Sequence, residues 1–157
     1  MIIAVITAIS ALGLCSCGED NGVIPNKFKG EWEMCGFAPK DAEMSADNII
    51  SEKEFEDAYG AEVPQSTIEF DKNGGMKPYT DGSIPGCSTN EVTRISDSEV
   101  CYGIEILELG GKELYDNPIK MDVHAKIADD YLFVWEEYAN TDEYNESDMY
   151  QVYQRAK

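Results

Sequence analysis

The stretch "IKMDVHAKI", Ile119 to Ile127, decides the fold class. Ile119, Met121, Val123, Ala125 and Ile127 fall on one side of an extended chain, and Lys120, Asp122, His124 and Lys126 on the other. A period of two marks a strand with one face buried, because successive side chains leave a strand in opposite directions. Working outward, noisier runs of the same kind cover residues 31–37, 66–70, 75–80, 91–95, 100–109, 131–138 and 149–155, so eight strands are expected in all. Between them, Asp71-Lys72-Asn73-Gly74, Gly110-Gly111 and Asp129-Asp130 tolerate positive φ or close Asx turns, as hairpin connections require. The expectation is an all-β antiparallel domain.

One segment breaks the alternation. In "SEKEFEDAYG", residues 51–60, Ser51 and Glu54 have the spacing of a capping box, Phe55 and Tyr59 lie four apart on one helical face, and Gly60 is placed to end the helix. A short helix is therefore expected between the first and second strands.

Composition divides the chain near Cys17. Residues 1–18, "MIIAVITAISALGLCSCG", contain no Asp, Glu, Lys or Arg, while the whole chain carries 31 acidic against 12 basic residues and a net charge of −19. An apolar run of about fourteen residues is too short to span the bilayer comfortably and has the length of a signal-peptide core. It ends in Leu14-Cys15-Ser16-Cys17, which resembles the lipobox of bacterial lipoproteins, where a small residue precedes a cysteine that is lipidated on sulfur and becomes the mature N-terminus. Cys17, preceded by Ser16 and with Leu14 three before it, fits that pattern better than Cys15, where those places hold Leu14 and Leu12. The resemblance implies a signal peptide over 1–16, lipid on Cys17, a tether over 17–28 and a membrane partner reached through the anchor. Gly18-Glu19-Asp20 is similar to the export signal of surface lipoproteins in one group of Gram-negative bacteria, which implies an outer-membrane, surface-exposed location. The acidic balance argues against nucleic acid as a partner and against electrostatic attraction to anionic headgroups.

Four further segments carry a family resemblance. "FKGEW" at 28–32, "TIEFDKNGG" at 67–75, "IADDYLFVW" at 127–135 and "YQVYQR" at 150–155 resemble, as an ordered series over residues 28–157, the small bacterial lipocalin-like proteins. That likeness implies a lipocalin-like domain over 29–157, an up-and-down antiparallel eight-stranded barrel, and a non-enzymatic binding module for a small apolar molecule held inside it. Trp32, Tyr102, Ile104 and Tyr150 are the inner-face ligand candidates, with ordinary core packing as the alternative reading. The alternative function is a surface interaction or inhibitor-type protein that contacts another protein through its long-loop end. A binder calls for an open interior, and an interaction protein for a filled one.

Residues for chemistry are few. The single histidine, His124, lies on the polar face of its strand and reads most simply as solvent-facing; no nucleophile sits in a recognisable elbow, so no catalytic residues are expected. Zinc would require Cys35, Cys87, Cys101 and His124 to meet without any C-x-x-C spacing, and Asn140, Asp142 and Asp148 lack the spacing of a calcium loop, so neither metal nor cofactor is expected.

Strand alternation supplies the remaining expectations. Cys35 near the end of strand one and Cys87 after strand three share one end of the barrel and Cys101 lies toward the other; a Cys35–Cys87 disulfide is the favoured pairing, with three reduced, buried thiols as the alternative. If Asp129-Asp130 is a two-residue turn, Tyr131, Phe133 and Trp135 point outward, under the helix; an odd-length loop reverses this. The short turns fall at one end and the connections 38–65, 81–90, 110–117 and 139–147 at the other, which is where a binding surface is expected.

Overall fold

The structure, a computed structural model, describes residues 24–60, 62–63, 65–79, 84, 86–139 and 147–157, with Asn90 and Glu91 as backbone only. Eleven strands and one α-helix follow in the order β1 (Gly30–Pro39), β2 (Ile50–Ser51), α1 (Glu52–Tyr59), β3 (Thr67–Phe70), β4 (Met76–Lys77), β5 (Cys87–Ser96), β6 (Glu99–Ile106), β7 (Glu108–Leu109), β8 (Lys112–Glu113), β9 (Ile119–Ala128), β10 (Tyr131–Tyr138) and β11 (Met149–Arg155). The eight long-range strands form one antiparallel sheet in the order β4-β3-β1-β11-β10-β9-β6-β5, curled into a half-barrel, while β2 pairs with β1 and the β7–β8 hairpin stands apart. Counting these eight strands alone, every neighbour in that order is also consecutive in the chain except β1 and β11, the first and last. Among the described residues no ladder joins β4 to β5.

The hairpin at 129–130 fixes the register of the best-phased pair. Asp129 and Asp130 both take positive φ, 47° and 66°, the backbone of a two-residue turn whose twist matches that of the strands it joins. Ala128 therefore faces Tyr131 and Ile127 faces Leu132, which places Leu132 and Val134 in the same inner layer as Met121, Val123 and Ala125. Phe133 goes to the other face. The condition set by the turn length is met, and the aromatic row points outward.

Two apolar layers result. The inner one contains Trp32, Ile68, Phe70, Met76, Val100, Tyr102, Ile104 and Tyr153, all essentially without exposure. The outer one is smaller: Ala38, Phe133 and Val152 lie beneath Met44 and Ile49. The cover is thus the segment 40–49, tied to the far turn by the Ala46 N–H donating to Asp129 Oδ2 at 3.3 Å, and not the helix. That segment returns to β1 at Gly36↔Ser51, where it passes so close that a Cβ on Gly36 would sit 2.2 Å from the Ile50 carbonyl oxygen.

The N-terminal boundary differs from expectation. Ile24 and Phe28, assigned above to a tether, are fully buried, with Phe28 edge-on to Phe70 at 5.4 Å. A 3-10 turn, Asn26–Phe28, folds the entering chain back across the end of the sheet, and the two apolar residues plug it. Arg155 completes this end: its guanidinium donates to the carbonyls of Lys27 and Lys29 and stacks 4.1 Å from the centre of the Trp32 ring.

Candidate functional site

At the plugged end the interior is solid. Trp32, Tyr102 and Ile104, expected as inner-face residues, are there, but as packed core: Trp32 Nε1 donates to the Phe28 carbonyl at 2.8 Å and the Tyr102 hydroxyl to the Gly74 carbonyl at 2.9 Å. Tyr150 is not inside. It stands three positions from the inward-facing Tyr153, hence on the opposite face, edge-on to Phe133 and Trp135. Period-two reading failed here because β11 had no fixed register in sequence.

The opposite end is open. Met34, Phe37, Phe55, Val63 and Tyr79 wall a cavity of about 440 Å³, with Glu62, Ser66 and Gln151 as its polar groups. Phe37 reaches it through a bulge between Met34 and Gly36: the extra residue reverses the alternation of β1, so Met34 and Phe37 both face inward and Cys35 and Ala38 outward. Helix α1 supplies the facing wall. Ser51 and Glu54 form the expected capping box, Gly60 ends the helix at φ 68°, and Phe55 stacks on Phe37 at 4.1 Å and on Tyr59 at 4.6 Å. The bulge and the helix place the two phenylalanines, and no local motif announced their meeting.

The polar side of this cup centres on Glu136, which alternation along β10 turns inward beyond Leu132 and Val134. The Tyr79 hydroxyl donates to Glu136 Oε1 at 2.9 Å and that of Tyr138 to Oε2 at 3.4 Å, while the Tyr153 hydroxyl donates to Gln151 Oε1 at 2.7 Å and lies 3.3 Å from Ser66 Oγ. Burial first, then the Glu136 charge, pushes the Tyr79 phenol well above its ordinary range, so it stays a donor. Among the described residues the lining carries one carboxylate, Glu62, and no base, and Glu136 stands behind the Tyr79 hydroxyl as a second acid. Chemically, such a lining suits apolar surface beside a neutral or cationic donor better than it suits a carboxylate.

The cysteines correct the disulfide expectation. Cys35 and Cys87 are both unbridged thiols: Cys35 packs against the outer layer, its Sγ 3.5 Å from the Val152 carbonyl oxygen, whereas Cys87 packs against the inner core. They share an end of the sheet but lie on opposite faces of it, because Cys35 alternates outward from the inward-facing Trp32 and Met34. His124 is also not simply solvent-facing. Its ring lies flat on Trp135, 4.7 Å between centroids, with Cys101 Sγ 3.7 Å from Nε2. Cys17 and segment 1–16, like Asn140 and Asp142, lie outside the described residues. Among the described residues no helix is long and apolar enough to cross a membrane.

Comparison of the chain with protein-family models, with curated proteins and with solved structures finds no match.

Proposed function

We propose that the chain is a lipid-anchored, extracytoplasmic, non-enzymatic binding module of lipocalin-like kind, whose sheet works as a barrel and whose cup takes a small, mostly apolar molecule with a neutral or cationic donor group. The observation that carries this reading is the apolar-walled cavity of about 440 Å³ above a solid core, within the ~300–1,000 Å³ common for small-molecule sites. A rigid aromatic wall contributed by both β1 and α1 suits a flat or short-chain ligand. In this proposal Cys17 carries the anchor, and the open end faces away from the outer membrane, because β1 enters the sheet at the plugged end. Thermal melting against a panel of hydrophobic amines, neutral sterol-like compounds and fatty acids tests the binding. Amines or neutral compounds should raise Tm in proportion to the logarithm of their concentration and fatty acids should not, with the shift lost in Phe55→Ala. A fatty-acid shift that survives Phe55→Ala sinks the assignment. Retention of Cys17→Ala in the membrane fraction would sink the anchor.

The second reading, a protein-contact surface, rests on Tyr59, Leu109 and Tyr115. These are large side chains 64%, 45% and 63% exposed on the long connections of the open end. Replacement of Leu109 and Tyr115 by serine, which leaves the Tyr59–Phe55 contact of the cup wall in place, should leave ligand-induced shifts intact and weaken any protein contact, which separates the two readings.

A further inference from the structure

On the outer face, away from the cup, β6, β9 and β10 run side by side in a register that collects side chains of one chemical class. Cys101 is directly opposite His124, Gly103 opposite Asp122, and on the far side Glu137 opposite Asp122 and Trp135 opposite His124. Gly103 presents no side chain, which leaves room for the Asp122 carboxylate to lean toward Cys101. One ligand-type atom from each of Cys101, Asp122 and His124 lies within 4.8 Å of the other two. We infer that Cys101, Asp122 and His124, completed by Glu137, form a binding site for a zinc-class divalent cation.

Four features of the cluster fit such an ion. The first is distance. Two ligands on one tetrahedral zinc, with bonds of ~2.3 Å to sulfur and ~2.0–2.1 Å to nitrogen, place S and N about 3.6 Å apart; Cys101 Sγ and His124 Nε2 are 3.7 Å apart. Glu137 Oε2 stands 3.8 Å from the same nitrogen but outside the mutual 4.8 Å of the other three ligand atoms, so it completes the set by swinging its half-exposed side chain inward. The second is donor type. A thiolate, an imidazole and carboxylates together suit zinc, whereas calcium and magnesium take oxygen alone.

The third is charge. Asp122 and Glu137 face each other directly across two strands, an arrangement of like charges that destabilises a sheet unless something positive lies between them. Of the two bases on that face of β9, Lys120 and Lys126, the latter is engaged with Glu99 at 3.3 Å. The fourth is orientation of the imidazole. Stacking on Trp135, 9° from parallel, fixes the ring, whose side chain is only 15% exposed. Nε2 then faces the cluster, and Nδ1 is buried without a hydrogen-bond partner 4.0 Å from Glu99 Oε1. A histidine that binds metal through Nε2 carries its proton on Nδ1, and a carboxylate beyond it is the usual outer partner of such ligands. As the sulfur–metal bond forms, the Cys101 thiol proton leaves to solvent.

The test uses cobalt(II) added to the reduced, chelator-treated protein. Tetrahedral cobalt bound through sulfur shows a thiolate-to-metal charge-transfer band in the near ultraviolet and intense visible bands. One equivalent should produce both, zinc should displace them, and a Cys35→Ser/Cys87→Ser double variant should retain them. Cys101→Ser should lose the sulfur band entirely. Glu99→Gln should weaken affinity about tenfold through the orientation of His124. A spectrum without the sulfur band, or one unchanged in Cys101→Ser, overturns the site. Should Cys101→Ser fail to fold, Glu137→Gln decides: this side chain is half exposed, and unchanged cobalt affinity and spectrum there overturn the four-ligand assignment.

Discussion

Replacing Tyr102 with phenylalanine removes one atom from the middle of β6 and probes whether the curled sheet is held shut at its unpaired edges. The Tyr102 hydroxyl donates to the carbonyl of Gly74, in the turn between β3 and β4, at 2.9 Å; the two residues come from opposite ends of the strand order. Both partners are buried, and the Tyr102 ring also lies 6.2 Å from that of Phe70. Phenylalanine keeps the ring contacts and leaves the Gly74 oxygen without its donor. An unsatisfied buried carbonyl costs about 1–3 kcal/mol, and the smaller value applies where water can reach it. For a domain of this size, about 1–2 kcal/mol lowers Tm by roughly 3–8 °C. The loss should be local as well as global. Amide exchange in residues 71–77 should accelerate more than exchange in β9 and β10, which are zipped by a continuous ladder. Calorimetry gives the first quantity and hydrogen exchange by mass spectrometry the second. An unchanged Tm together with unchanged exchange in 71–77 would refute the idea that side chains close this seam.

Three other outcomes follow from close contacts and burial. Gly36→Ala forces its Cβ to within 2.2 Å of the Ile50 carbonyl oxygen, so β2 must lift from β1 at a cost of about 1–3 kcal/mol; protection of the amides around residue 50 should fall, and full protection would contradict the close approach. Burial first, and then Glu52, pushes the Cys35 thiol up to about 11, so at pH 8 its thiolate is about a hundredfold scarcer than in a free peptide and alkylation should be correspondingly slow. Because the folded value lies above the unfolded one, the stability linked to this proton is complete below about pH 9 and is lost as pH rises through about 11. Cys87, Tyr79, Tyr102 and Tyr153 are raised in the same direction, chiefly by burial, and the urea midpoint should therefore hold up to about pH 9 and decline from there to about pH 11. A flat or rising midpoint would argue against that burial.

What was legible in the sequence is what depends on local repeats. Residues 119–127 alternate cleanly because one face meets a dry core, and Asp129-Asp130 sets the next strand's phase because only a two-residue turn fits there. The capping box and Gly60 bound the helix for equally local reasons. What was hidden depends on a second strand. The bulge is marked in "EWEMCGF" only by a glycine inside the strand, yet it sends Phe37 into the cup. Tyr150 was placed inside because nothing in β11 alone says whether it or Gln151 faces the core. Ile24 and Phe28 sit in a polar stretch whose only structural signal is Pro25, so their role as a plug becomes visible only against Phe70. The juxtaposition of Cys101, Asp122 and His124 likewise needs the register of two strands to be known first.

The pairing of β1 with β11 has a consequence for how the protein is made. In the strand order, β4, β3 and β1 connect to the rest of the sheet only through β11. At roughly 5–20 residues per second the ribosome delivers this last strand seconds after the first. Until then the nascent polypeptide consists of two sheet fragments with exposed apolar faces and no ladder between them. Such a chain cannot close its sheet during synthesis, and it completes its structure in one late step when residues 149–155 dock between strands made far apart in time.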